Sequence, residues 1–326
     1  MIAGEELAAW LGSREAQSDT AETMEAAARR LGHLASLQGL VGKLEGARDK
    51  GADEILALAE AFVSTPGAIA EVLDVLIVAA AADPYFRPHL GIVSSEAHSG
   101  LLLVEHPALN LTLGIMSADA IAAKRAERKG GASVVFTGRR MAFHFIKSGG
   151  ATLSLWNAPG IGPGFTAEGS GRCRLVERVR IEDGQKLDID GRSAAFIVEE
   201  TERDIVFVCA ETPLGAGPLS VEYDWASHRF VGASSTDEAS SRTQMMLALL
   251  RIMDRRDALP QFREMLGSEH FYARWQAMRE FLALDAGAAL PHLRRMAAAD
   301  PHCEVRQAAA QTLAQTFAEE LVACPS

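Results

Sequence analysis

The chain is poor in the residues and runs that usually announce chemistry. Four cysteines in 326 residues (Cys173, Cys209, Cys303, Cys324) share no short spacing, which excludes a zinc knuckle and gives no disulfide framework. No His-Glu-x-x-His, Cys-x-x-Cys or Gly-x-Ser-x-Gly occurs, so the common metalloprotease, thiol-redox and serine-hydrolase signatures are missing. The most apolar run, Val75 to Ala82, lies between Asp74 and Asp83 and is too short to span a bilayer. The opening Met1-Ile-Ala-Gly-Glu-Glu lacks a basic segment followed by an apolar core, so no secretory signal is expected. Basic residues are outnumbered 32 to 43, and the net charge of −11 argues against global attraction to nucleic acid or to an anionic membrane. The expectation is a cytoplasmic protein with no membrane partner, in a reducing compartment.

What is present is organised in three parts: an N-terminal helical region at 1–88, a β domain at 89–235 and helical repeats at 236–326. In the first, Met24, Ala28, Leu31, Leu34, Leu37, Val41 and Leu44 recur every three to four positions, one face of a helix. Asp19 with Glu22 is placed as its capping box. Thr65-Pro66 is placed as the start of a second amphipathic helix through Ile69, Leu73, Leu76 and Ile77. From Leu90 the apolar period moves toward two. Strands are expected at Leu101–Val104, Leu109–Ile115, Ser133–Thr137, Met141–Ile146 and Thr152–Trp156, with a short helix from Ala118 to Arg128. A glycine-rich loop, Asn157 to Gly171, follows and reads as mobile, a lid over one end of the β domain. Leu187 and Ile189 lead into Asp190-Gly191, and Ala194–Val198 answers them, the pattern of a hairpin. Ile205–Cys209, Ser220–Tyr223 and Arg229–Val231 complete an antiparallel sandwich or barrel.

The segment from Gly184 through Leu187, Ile189, Asp190-Gly191 and Phe196 to Glu199 resembles the hairpins of cupins and related double-stranded β-helix folds. Metal-dependent cupins carry a His-x-His pair and a later Glu on neighbouring strands. The matching stretch here holds no histidine.

The last third repeats. Arg242-Thr-Gln-Met-Met246, Arg274-Trp-Gln-Ala-Met278 and Arg306-Gln-Ala-Ala-Ala310 align at a spacing of 32 residues, with Leu249, Phe281 and Leu313 in one register. Leu259-Pro-Gln-Phe-Arg-Glu-Met265 likewise matches Leu290-Pro-His-Leu-Arg-Arg-Met296. Such a helix-pair period signals an α-solenoid. Asp300-Pro-His-Cys-Glu-Val-Arg306, leading to Ala309 and Leu313, resembles HEAT repeats, which implies a scaffold that docks a protein partner. With so few repeats the helices are expected to pack on the β domain, and the aligned arginines to form a ladder with Asp237, Glu269 and Asp300.

The fold class expected is therefore α+β: N-terminal helices, a central antiparallel β-sandwich or cupin-like barrel, and a HEAT-like solenoid segment. Two sites compete within it. If Arg172 to Arg180 is one unbroken strand, Arg172, Arg174, Arg178 and Arg180 share a face and would bind an anionic small molecule or peptide, unless Glu199, Glu200, Glu202, Asp188 or Asp190 neutralises them. His106, or His98 in its place, and His144 could hold a divalent metal if they converged inside the barrel with Glu105 or Glu199. A second basic run (Lys124, Arg125, Arg128, Lys129, Arg139, Arg140, Lys147) has few aromatics beside it, so nucleic acid is not the expected partner. The function expected is a non-catalytic binding or accessory protein. The alternative is a cupin-like enzyme, either a metal-dependent oxygenase or a metal-free isomerase or epimerase.

Overall fold

The computed structural model describes residues 4–47, 49–127, 133–162 and 164–316. Five helices come first: α1 (Gly4–Gly12), α2 (Arg14–Gly32), α3 (Ala35–Glu45), α4 (Ala52–Val63) and α5 (Ala68–Ala82). The start of α2 is set by Ser13, extended at φ −113°, whose hydroxyl accepts the Ala16 N–H at 3.2 Å. Asp19 therefore lies inside the helix and is not its cap. The single apolar face expected from Met24 to Leu44 is split, because α2 ends at His33 and Leu34 is extended at ψ 118°. Thr65 closes α4 by donating its hydroxyl to the Ala61 carbonyl at 2.8 Å. The turn into α5 is made by Gly67 at φ +84°, a conformation that glycine adopts without a Cβ penalty. Thr65-Pro66 thus belongs to the connection between helices.

Twelve strands follow: β1 (Gly91–Ser94), β2 (His98–His106), β3 (Leu109–Met116), β4 (Ser133–Phe136), β5 (Arg140–Lys147), β6 (Thr152–Asn157), β7 (Arg174–Arg180), β8 (Lys186–Asp190), β9 (Ala194–Glu200), β10 (Ile205–Thr212), β11 (Leu219–Asp224) and β12 (Phe230–Ser235). Between β3 and β4 runs α6 (Ala118–Glu127). A six-stranded sheet has the order β1-β2-β3-β10-β5-β8, and two three-stranded sheets have the orders β7-β6-β9 and β12-β11-β4. Each neighbouring pair is antiparallel.

Alternation on β3, β5 and β10 gives the large sheet two buried faces. Leu109, Leu111, Val208 and Ala210 pack against Ile55, Ala59, Phe62 and Val72 of α4 and α5. The opposite face, with Phe143, Phe145, Ile189 and Phe207, packs on Leu153 and Val198 in the barrel interior. No single helix among the described residues is long and apolar enough to cross a membrane. In the bent pair α4 and α5, Ile55, Phe62, Val72 and Leu76 are buried in the core shared with the sheet, while Ile77 and Val78 of α5 stay exposed.

Asp190-Gly191 is not a hairpin. β8 pairs with β5 and β9 with β6, so the turn carries the chain from one sheet to another. Gly191 is required for a different reason. A Cβ there would lie 2.3 Å from the Thr137 hydroxyl and 2.5 Å from the Arg139 carbonyl, where the β4–β5 turn crosses. That crossing is held by Gly138 N–H to Gly191 O at 2.9 Å and Gly191 N–H to Arg139 O at 2.8 Å.

The C-terminal helices are α7 (Glu238–Ile252), α8 (Leu259–Met265), α9 (Phe271–Leu284), α10 (Ala286–Ala299) and α11 (Cys303–Thr316). They share a core of Phe262, Met278, Phe281, Leu293 and Ala309. Of the expected arginine ladder one rung is made. Arg274 is buried and donates from Nε and Nη2 to the Asp300 carboxylate at 2.8 and 2.7 Å. Its Nη1 reaches the carbonyls of Ser268 and Glu269 at 2.9 and 3.1 Å. Arg306 bonds the carbonyls of Asp300 and Pro301, and Arg242 pairs with Glu238 inside its own helix. Asp237 instead caps α7 through the N–H groups of Ala239 and Ser240.

The helices rest on the strands through Phe271 and Tyr272, packed beside Phe136, Trp156 and Tyr223. The loop after β6, expected to be a lid, is pinned at several points. Ile161 N–H donates to the Arg192 carbonyl, and the Phe165 carbonyl meets His302 Nε2 at 3.1 Å. Ala167 N–H donates to Glu304 at 2.7 Å, and Tyr223 Oη donates to the Ser170 carbonyl at 2.8 Å.

Burial pushes the Asp300 carboxyl up, but the Arg274 guanidinium and the His302 N–H outweigh it and hold it below the usual carboxylate range. A depressed carboxylate contributes stability that is complete above its unfolded value and is lost as pH falls through the folded value. The repeats are thus expected to loosen in acid below the ordinary carboxylate range. Arg274→Ala or Asp300→Ala is expected to cost about 3–5 kcal/mol in denaturant unfolding, since each leaves a buried charge alone. Arg274→Met with Asp300→Leu should recover most of that loss.

Candidate functional site

The two histidines offered as metal ligands lie on the outer face of the barrel. His106 closes β2; its Nδ1 accepts the Ala108 N–H at 3.1 Å, and its Nε2 lies 3.7 Å from the Glu45 carboxylate of α3. His144 stands between Val208 and Lys186 and faces α4 across a void of about 50 Å³ lined by Ala59, Glu60 and Val63. Its Nδ1 is buried without a protein hydrogen-bond partner, and burial, aided by Lys186, lowers its pKa. Inside the barrel stand phenylalanines: Phe143 meets Phe196 edge-on at 4.9 Å and Phe207 at 5.8 Å. Among the described residues no group of three or more His, Cys, Asp or Glu side chains converges. The donor set does not fit a divalent metal at His106 and His144.

The arginine stripe is interrupted. Between Leu175 and Glu177 the register against β6 shifts, leaving Val176 as an extra residue. Arg174 therefore opposes Asn157 on one face, while Arg178 and Arg180 oppose Ser154 and Thr152 on the other. Arg178 lies 3.7 Å from Glu199, and Arg180 bonds Glu202 at 2.6 Å. Arg172 sits outside the strand, bridged to Arg229. Internal counter-charge was one of the two readings the sequence allowed, and it holds for Arg178 and Arg180. The second basic run is also consumed: Lys124 pairs with Glu96, Arg125 with Glu200, Arg139 with Glu211, Arg140 with Asp53 and Lys147 with Asp183. Arg128 and Lys129 lie outside the described residues.

A cleft of about 1360 Å³ lies between the barrel and the C-terminal helices. One wall is the turn from Pro213 to Pro218 with Thr236 and Asp237; the other comes from α8, the start of α9, α10 and the turn into α11. Its lining carries both signs. In one group, His270 Nε2 lies 3.8 Å from Asp237 and 3.7 Å from Glu269. Hydrogen bonding from Ser240 holds Asp237 below the usual carboxylate range against the pull of burial. In another, Arg263 and Arg295 stand near His292. Neither arginine enters an ion pair among the described residues. The lining also includes His302, buried, its ring stacked on Phe271 at 3.9 Å and its Nδ1 without a hydrogen-bond partner. Away from the cleft, burial pushes the Cys173 thiol up to about 11 and raises that of Cys209 as well, so neither is a ready nucleophile.

Arg263, His292 and Arg295 fall in the matched segments 259–265 and 290–296, which the sequence marks as a repeat and not as a site. The repeat did hold a signal, because it places α8 and α10 as corresponding helices of successive units, whose exposed residues line one side of a stack.

The family model for HEAT repeats matches residues 233–314. The C-terminal helices are HEAT-like repeats. No curated protein matches the chain. Among solved structures, ectoine synthase from P. lautus is 12% identical with a TM-score of 0.23, covering 38% of this chain and 71% of its own. A sugar phosphate isomerase from a cupin superfamily, of Silicibacter pomeroyi, is 13% identical with a TM-score of 0.23, covering 44% and 78%. Fe(II)-HppE is 10% identical with a TM-score of 0.25, covering 59% and 95%. At these identities and TM-scores the likenesses carry neither a fold nor a chemistry over to this chain.

His292 reports on the basic group. Burial lowers its pKa first, and Arg295 and Arg263 lower it further. Replacing both arginines with alanine is expected to raise it toward the ordinary histidine value in an NMR titration. An unchanged value would mean that the guanidiniums do not face the ring.

Proposed function

We infer that the protein is a non-catalytic binding or accessory protein whose cleft takes an acidic peptide segment of a protein partner. The observation that carries this reading is the basic wall of Arg263, His292 and Arg295, two guanidiniums without carboxylate partners among the described residues, lining an open groove. Like charges held together without counter-ions repel, and an incoming carboxylate relieves that repulsion while gaining charge-assisted hydrogen bonds. HEAT repeats supply the general setting, a scaffold that engages other proteins. Asp237 and Glu269 in the same lining disfavour a ligand that is anionic throughout. Arg172 and Arg174, neither in an ion pair among the described residues, offer a second anionic contact. Unpaired thiols at Cys173, Cys209 and Cys303 accord with a reducing, cytoplasmic setting. The enzyme alternative draws no support from the barrel, whose interior presents phenylalanines where reacting groups would be needed.

A fluorescent decapeptide with glutamates confined to one half is a suitable probe for the basic side chains of the cleft, and the chain's net charge of −11 disfavours its non-specific uptake. Binding is expected to fall at least about tenfold in Arg263→Ala with Arg295→Ala, because hydrogen bonds to charged groups contribute about 1.5–3 kcal/mol each. Arg178→Ala with Arg180→Ala should leave binding unchanged, and Arg172→Ala with Arg174→Ala tests the second contact. Equal binding by the cleft variant, or none by the wild-type chain, would overturn the reading.

A further inference from the structure

Helix α7 presents an apolar face to solvent. Met245, Met246, Leu249, Ile252 and Met253 are 67, 63, 55, 68 and 56% exposed, while Leu247 on the opposite side is buried in the repeat core. At 3.6 residues per turn these five lie within about 120° of arc, a single continuous stripe. The aligned positions of the later repeats, Phe281 and Leu313, are core residues. Only in the first unit does this register point outward. A solenoid ends in a unit with a polar outer face, because an apolar end invites further stacking. Here the array ends apolar.

The stripe is also a palindrome. Met245 and Met253 are equidistant from Leu249, and so are Met246 and Ile252. Two copies of α7 laid antiparallel about a two-fold axis through Leu249 would set Met245 against Met253, Met246 against Ile252 and Leu249 against itself. That is the self-complementarity an isologous interface requires. The flanks permit it. Glu238–Arg242 at one end, and Asp254–Arg256 with Arg255–Asp257 at the other, are ion pairs closed within the chain, so neither end brings net repulsion. Five such side chains amount to about 600 Å² of open apolar surface, the upper end for a free monomer. Two faces together bury roughly 1,200 Å², the lower bound of a stable protein interface. Methionine, unbranched and adaptable, suits a pairing formed between identical surfaces.

We propose that the chain forms a two-fold dimer through α7, antiparallel and centred on Leu249. The cleft lies elsewhere on the repeats, so the dimer does not depend on the acidic-peptide reading, and Arg263→Ala with Arg295→Ala should leave it intact. Sedimentation velocity on the full chain is expected to show a dimer. Leu249→Glu, which sets two carboxylates at the axis, should weaken it by at least about 100-fold. Because Leu249 is exposed, the circular dichroism and thermal midpoint of that variant should match the wild type. In a Cys303→Ser, Cys324→Ser background, Leu249→Cys is expected to cross-link to itself on mild oxidation. Met245→Cys should not do so alone, but should cross-link in a mixture with Met253→Cys. A wild-type chain that stays monomeric, a Leu249→Glu chain that stays dimeric, or self-linking at Met245→Cys in place of Leu249→Cys would each overturn the proposal.

Discussion

Arg274 and Asp300 face each other through two parallel hydrogen bonds in a site that excludes water, and much of the C-terminal architecture is arranged around them. The pair joins α9 to the turn before α11, and the remaining guanidinium nitrogen ties down the carbonyls that lead into α9. Asp300 in turn accepts the His302 N–H at 2.8 Å, which orients that histidine toward the loop after β6. One buried ion pair thus sets the spacing of two repeat units and the point where they meet the barrel. Taking two charges out of water is costly, and only complete hydrogen bonding offsets it. The gain is geometric: a bidentate pair tolerates little sliding of one helix past the next.

From that constraint the cleft follows. With the α10–α11 turn anchored at His302 and the start of α9 anchored by Phe271 and Tyr272, the remaining edges of α8 and α10 stand away from the turn at Pro213 to Pro218. The barrel interior is packed with phenylalanine, and its outer face is covered by α4, with α3 against β2. The open concavity is left at the seam, mostly apolar in lining with charged side chains set in it.

The repeat was legible because it is a local pattern iterated at a fixed period, and each unit needs the same apolar positions to bury against its neighbour. The strands were legible for the same reason, through their alternation. The sites were not. A strict alternation placed four arginines on one face, yet one extra residue at Val176 moves Arg174 to the other. Alternation along β5 put His144 opposite Phe143 and Phe145, but it could not say which of those faces was the inside of the barrel. Asp190-Gly191 read as a hairpin because the turn chemistry fits one, whereas the glycine answers the close passage of a backbone distant in sequence.

Composition, periodicity and turn residues, which act within a few positions of themselves, determined the classes of the three regions, the existence of nearly every strand and the helical repeat. Register, facing and partner choice were decided by tertiary structure, because they depend on groups far apart along the chain. Arg180 with Glu202, Arg140 with Asp53 and Arg274 with Asp300 each had several carboxylates open to them in the sequence. Arg263 and Arg295 come together beside His292, with no ion pair among the described residues, through the fold alone.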